Sequence, residues 1–156
     1  MILEDRLGKM DELMTKIDCK FKNRVLLMKA LLTKECSDVD FKWNGINQDS
    51  LEKVGNALIG FLAMERGYQE DLKTKHEMKK FKKKYTDNEN LVKIAKKINL
   101  ADYVIWSKNQ LTTSQWLISD ELYVDCLEAI IGAVYFDKGL KKAREVFWNL
   151  FETYTK

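Results

Sequence analysis

Asp125-Cys126-Leu127-Glu128-Ala129-Ile130-Ile131-Gly132-Ala133-Val134-Tyr135 is the stretch on which the fold turns. It is apolar and small except for two acids three residues apart, a spacing that puts both on one face of a helix. Ser119 can cap a helix that carries this stretch to about Asp137, with Gly139 just past its end. A second stretch, Asp49-Ser50-Leu51-Glu52-Lys53-Val54-Gly55-Asn56-Ala57-Leu58-Ile59-Gly60, has the same character, and residues 49, 52 and 56 fall on one stripe. Small residues sit close to the acids in both: Gly55 and Ala57 in one, Ala129, Gly132 and Ala133 in the other. Small residues let helix axes approach closely. If the two helices pack together, Glu52, Asn56, Asp125 and Glu128 converge in a partly apolar setting.

Helical spacing continues outward from these two segments. Ile2 to Ile17 has apolar residues at Leu3, Leu7, Met10, Leu13, Met14 and Ile17. Asn23 can cap a helix through Leu32, and residues 36–48 read as a loop pinned by Phe41 and Trp43. The first acid-bearing helix starts at Asp49 or Ser50 and is expected to end at Gly67. A lysine-rich helix is expected over 69–85, with Leu72, Met78, Phe81 and Tyr85 as its apolar side. A short helix covers 89–98, residues 100–115 are irregular apart from a turn at Leu100–Val104, and Leu140–Tyr154 forms a final amphipathic helix. There is no internal repeat and no flexible linker. The expectation is one all-α domain over residues 1–156.

Composition excludes several other classes. The chain has 156 residues, 46% of them hydrophobic and 33% charged, enough of each for a core and a polar surface. Frequent Gly and Pro punctuation marks all-β folds, whereas this chain has seven glycines and no proline. No apolar run approaches the roughly 20 residues of a membrane span. The N-terminus lacks the basic-then-apolar order of a secretory signal, so an intracellular, cytoplasmic location is expected. Cys19, Cys36 and Cys126 lack metal-type spacing, and a lone His76 leaves zinc-finger and haem readings without ligands.

Converged carboxylates repel one another, and burial sharpens the repulsion. They persist when a divalent cation sits among them, and hard oxygen donors suit Mg2+ or Mn2+. Such an ion activates water and stabilises charge on a phosphoryl oxygen. Acids on helices also occur simply as solvated faces, so spacing alone leaves both readings open.

The residue strings go further. Leu51-Glu-x-x-Gly-Asn-Ala-Leu-Ile resembles the signature of ribonuclease III, Leu-Glu-Phe-Leu-Gly-Asp-Ala-Val-Leu. Asp125-x-x-Glu-Ala-Ile-Ile-Gly-Ala-Val-Tyr-Phe-Asp-x-Gly is similar to that family's second catalytic helix. Phe21-Lys-Asn-Arg-Val-Leu-Leu-Met-Lys-Ala-Leu-Leu-Thr resembles its opening segment, and Leu91-Val-Lys-Ile-Ala-Lys-Lys-Ile-Asn-Leu its middle helix. Order and spacing agree from about residue 19 to 148. The resemblance implies the all-α ribonuclease III endonuclease-domain fold, a homodimer, double-stranded RNA as substrate and Mg2+ as cofactor, with Mn2+ as a substitute. It implies Glu52, Asp125 and Glu128 as metal ligands, Asn56 as the fourth member of the catalytic set and Asp49 beside them. Lys53, Val54, Leu58 and Phe61 are implied at the dimer interface. Many family members carry a double-stranded-RNA-binding domain after the nuclease domain. None follows residue 156, as expected of a minimal member or of a chain cut at the domain boundary.

The chain departs from the family pattern in four places. Asn56 stands where the family has Asp, removing one negative charge and some acceptor capacity. Lys53 replaces an aromatic residue, Asp49 replaces Glu, and Thr33-Lys34-Glu35-Cys36 stands where Thr-His-x-Ser is common. Asn56 is open to three readings: an engineered substitution, a natural variant with weak or Mn2+-dependent activity, or a non-catalytic member that binds RNA or assembles with partners. Lys73, Lys75, Lys79, Lys80, Lys82, Lys83 and Lys84 crowd one segment, either as a solvated face or as a phosphate-binding ridge. Alongside the resemblance, Lys79, Lys80, Lys82 and Lys83 are the candidate RNA contacts, because duplex RNA is read largely through its shape and backbone. Weaker candidates are Lys108, Asn109 and Gln110, with Trp106 and Trp116 as packing anchors.

Overall fold

Residues 126–134 are buried without interruption, so the helix that carries them is covered on every side. In the computed structural model, which describes residues 3–33, 46–105 and 119–156, that helix is the centre of the domain. Seven α-helices are described: α1 Leu3–Ile17, α2 Arg24–Leu31, α3 Asp49–Gln69, α4 Lys75–Thr86, α5 Asn88–Lys97, α6 Asp120–Lys138 and α7 Leu140–Tyr154. A 3-10 turn at Leu100–Asp102 follows α5. Helices α2, α3, α5 and α7 all pack against α6. Among the described residues there is no strand, only an isolated bridge between Leu32 and Ile105. The all-α expectation holds. Phe41, Trp43, Cys36, Trp106, Lys108, Asn109, Gln110 and Trp116 lie outside the described residues.

Local chemistry sets most helix ends. The Ser119 hydroxyl accepts the Leu122 N–H at 3.2 Å and starts α6. Gly139, at φ 92, separates α6 from α7 in a conformation that side-chain-bearing residues rarely adopt. The Asp137 carboxylate accepts the backbone N–H groups of Lys22 and Asn23, each at 2.9 Å, so the end of α6 holds the start of α2. Asn23 in turn caps α2 through the Val25 N–H.

Two sequence expectations need correction. Gly67 does not end the helix; α3 runs on to Gln69 and Gly67 is buried within it. A methyl carbon there would stand 3.1 Å from both Met78 Sδ and Phe81 Cδ1, so this glycine serves close packing of α3 on α4. The stop comes later, at Asp71, whose φ of 66 is left-handed, with the Leu72 N–H returning to the Gly67 carbonyl at 3.2 Å. The lysine-rich helix likewise begins at Lys75, not at residue 69. Thr74 and Glu77 form a reciprocal capping box, and Leu72 belongs to the connection before it.

Tyr85 of α4 packs its ring 5.0 Å from that of Trp148 and 4.8 Å from that of Phe151, fastening α4 to α7. Arg66 lies 3.5 Å over the Trp148 ring, and Arg144 grips Glu65 through two bonds of 2.7 and 2.9 Å. These contacts tie the C-terminal half of α3 to α7. None of the described helices is long and apolar enough to cross a membrane.

A candidate metal centre between two helices

The closest approach of α3 and α6 is made by two glycines, one from each helix. A methyl carbon on Gly55 would overlap the Glu128 carbonyl oxygen and stand 2.5 Å from its carbonyl carbon. One on Gly132 would overlap the Leu51 carbonyl oxygen and stand 3.3 Å from the Gly55 nitrogen. Backbone meets backbone there, so the side chains beside the contact are brought together. The small residues flanking the acids in the sequence thus set the distance between the two helices.

Beside that contact, Glu52, Asp125 and Glu128 each present a carboxylate oxygen, and the three oxygens lie within 4.8 Å of one another. Glu128 is 4% exposed, while Glu52 and Asp125 are half-buried. Burial pushes the Glu128 carboxyl up to about 7; the Asn56 amide beside it favours the charged form, and Glu52 and Asp125 oppose it. Burial followed by Glu52 pushes Asp125 up to about 6. Lys53, on α3, partly offsets both shifts, and Asp49 adds to the repulsion on Asp125. Asp49 is exposed, with its N–H bonded to the Asn47 carboxamide oxygen at 2.8 Å, and is not one of the three converging acids.

Glu128 Oε2 is buried and has no hydrogen-bond partner among the described residues. An orphaned carboxylate oxygen inside a protein is costly unless something positive reaches it. A group of three carboxylates with only oxygen donors fits a small hard divalent cation and suits softer metals poorly. Glu52, Asp125 and Glu128 are the residues that would hold it, with the Asn56 amide oxygen available as a neutral donor.

Gln48 was not singled out from the sequence. It is 4% exposed, and its amide oxygen accepts the Cys126 thiol at 3.0 Å. Its carbonyl accepts the Glu52 N–H at 2.8 Å and its own N–H bonds Leu32 at 3.0 Å. Gln48 therefore ties the first turn of α3 to the segment of α6 lying between Asp125 and Glu128. Burial raises the Cys126 thiol strongly and leaves it an un-ionised donor. Thr33, also buried, donates to the Ile105 carbonyl at 3.5 Å and closes the same end of the domain.

The remaining predicted residues divide by exposure. Lys53 and Phe61 are exposed and Val54 and Leu58 half-buried, together forming the outer face of α3. Lys79, Lys80, Lys82 and Lys83 are all exposed on α4, which packs along α3.

Comparison with known proteins matches this arrangement to one family. Residues 26–153 match the family model described as Ribonuclease-III-like. Ribonuclease 3 of Nitratiruptor sp. is 26% identical over 147 residues, covering 94% of this chain and 62% of that protein. Ribonuclease 3 of Pseudothermotoga lettingae is 32% identical over 153 residues, covering 93% and 62%. The chain spans about six-tenths of the length of the curated relatives it matches. A nuclease domain of ribonuclease III from Campylobacter jejuni, studied for structural flexibility in a region involved in dimer formation, superposes with a TM-score of 0.81. It is 23% identical, over 92% of this chain and 96% of that one, a likeness of fold. With the family model covering most of its length, and with the helices that carry the acid cluster lying inside the match, the chain belongs to the ribonuclease-III-like family.

Proposed function

We propose that this chain is an endoribonuclease that cleaves double-stranded RNA by metal-dependent phosphodiester hydrolysis and works as a homodimer inside the cell. The observation that carries the reading is the convergence of Glu52, Asp125 and Glu128 around a buried Glu128 oxygen with no hydrogen-bond partner among the described residues. Family membership supplies the reaction class. A bound Mg2+ or Mn2+ supplies an activated water and charge stabilisation on the phosphoryl oxygens. The chain's own residues do the rest. Gly55 and Gly132 fix the separation of the acids, and Gln48 holds the register of the two helices. One exposed flank of α4, with Lys79, Lys82 and Lys83, holds backbone phosphates without reading sequence. The outer face of α3, with Lys53, Val54, Leu58 and Phe61, is the surface we assign to the partner subunit.

Asn56 favours a second reading, in which the chain binds duplex RNA or assembles with partners without cutting. Asn in place of Asp and Lys53 in place of an aromatic residue each make the cluster less negative. A labelled RNA duplex and its separated strands, incubated with Mg2+ and with Mn2+, distinguish the two. Cutting of the duplex by the native chain, abolished by Glu128→Gln, is the expected result. Binding without cutting under both ions supports the second reading.

A further inference from the structure

The lysine run is not uniform. On α4, Lys75, Lys79, Lys82, Lys83 and Thr86 fall at i, i+4, i+7, i+8 and i+11, a single flank, while Lys80 and Lys84 fall on the other. Lys84 turns toward Tyr85, its ammonium 5.3 Å from the ring centroid. Lys82 lies across α3 instead: a methyl carbon on Gly60 would stand 3.2 Å from its Cε and 3.7 Å from its Nζ. Glycine in a helix interior is a destabilising choice, and here its missing side chain leaves the room that Lys82 occupies.

The Lys82 ammonium lies in a hollow of about 500 Å3 between α3 and α4, whose walls include Asn56, Ala57, Gly60, Phe61 and Thr86. Among the described residues no carboxylate lines the hollow and no ion pair engages Lys82. At one end is Asn56, which also faces Glu128. From Asn56 to Gly60 is one helical turn, about 6 Å of rise along α3, a distance on the scale of a nucleotide step. A cation that no described carboxylate engages, a donor amide and a floor of small residues suit an anion that enters from solvent and runs on toward the acids.

We propose that Lys82, lying over Gly60, binds the RNA backbone phosphate adjacent to the scissile one and so aligns the strand on the acid cluster. The proposal rests on the nuclease reading above and assigns a place on the protein to one part of it. Lys79 and Lys75 continue the same flank away from the site and take more distant phosphates. Lys80 and Lys84 take no part.

The test is duplex RNA binding without divalent ions, over a salt series, for the native chain, Lys82→Gln, Lys80→Gln, Lys82→Arg and Gly60→Ala. Lys82→Gln is expected to weaken binding by about three- to tenfold at low salt and to lower the salt slope by about 0.9, on the duplex-DNA scale. Lys80→Gln should leave the slope unchanged, and Lys82→Arg should restore it. Gly60→Ala keeps every charge and displaces only the flexible end of Lys82, so thermal stability should hold or rise while binding weakens. Equal losses for Lys80→Gln and Lys82→Gln, or unchanged binding by Gly60→Ala, overturn the proposal while leaving the nuclease reading intact. A native chain that binds no duplex even at low salt overturns both.

Discussion

Replacing Gly55 by Ala adds one methyl group at the closest contact between α3 and α6. In an open helix that change stabilises by about 0.8–1 kcal/mol, because alanine is the better helix former. Gly8 provides the control, since a methyl carbon there meets nothing within 4 Å. At Gly55 the new carbon overlaps the Glu128 carbonyl oxygen and stands 2.5 Å from its carbonyl carbon. Carbon atoms rest at about 3.5 Å or more, so the helices must part by about 1 Å. Overpacking costs about 1–3 kcal/mol, and backbone against backbone cannot escape by changing rotamer, so the upper end applies. Subtracting the gain in propensity leaves a net loss of about 2 kcal/mol. The same displacement spreads carboxylate oxygens that now lie within 4.8 Å of one another. Urea unfolding of the native chain, Gly55→Ala and Gly8→Ala, with and without Mg2+, measures both effects. Gly55→Ala should lose stability and lose the stabilisation that Mg2+ confers, while Gly8→Ala keeps both. A Gly55→Ala variant as stable as Gly8→Ala, with its Mg2+ response intact, would refute the reasoning.

Other expectations follow from the same geometry. With Glu128 raised to about 7 and Asp125 to about 6, the folded metal-free chain holds protons that the unfolded chain releases near pH 4. Its stability therefore falls as pH rises from about 4 to about 7 and levels off above. The loss is at most roughly 1.4 kcal/mol for each tenfold difference in proton affinity between the folded and unfolded chain. Divalent-ion affinity runs the opposite way because the ion competes with those protons, so Mg2+ should raise the melting temperature clearly at about pH 8 and little at about pH 5.5. Equal rises at both pH values would contradict the assignment. The outer face of α3 should form an isologous dimer burying more than roughly 1,200 Å2. Light scattering at micromolar concentration checks this, and a monomer would remove the interface assigned to Val54, Leu58 and Phe61.

The acid cluster was legible in the sequence because its acids sit in stretches otherwise apolar and small. Carboxylates at helical spacing beside Gly55 and Gly132 can be read from local periodicity alone. Ser119, Asn23 and Gly139 announced helix ends for the same reason: their action is local. Gly67 misled because glycine both ends helices and permits close packing, and the two uses look alike in a sequence. Only the approach of Met78 and Phe81 from α4 distinguishes them. Gln48 was hidden because Asn47-Gln48-Asp49 reads as a polar helix start, while its partner Cys126 lies 78 residues away. Lys82 could have been separated from Lys80 by periodicity, but its position over Gly60 depends on how α4 lies on α3.

Asn56 is the residue on which the account depends most directly. It faces Glu128, and the sequence resemblance aligns it with an acid, so Asn56→Asp adds a negative charge beside Glu52, Asp125 and Glu128. The decisive measurement is the rate of duplex RNA cleavage by the native chain and by Asn56→Asp across a Mg2+ series, with folding and dimerisation checked on the same samples. The account predicts that Asn56→Asp reaches half-maximal rate at lower Mg2+, cuts faster, and loses the gain when Glu128→Gln is added. A folded, dimeric Asn56→Asp protein that cuts no duplex at any Mg2+ concentration would contradict it.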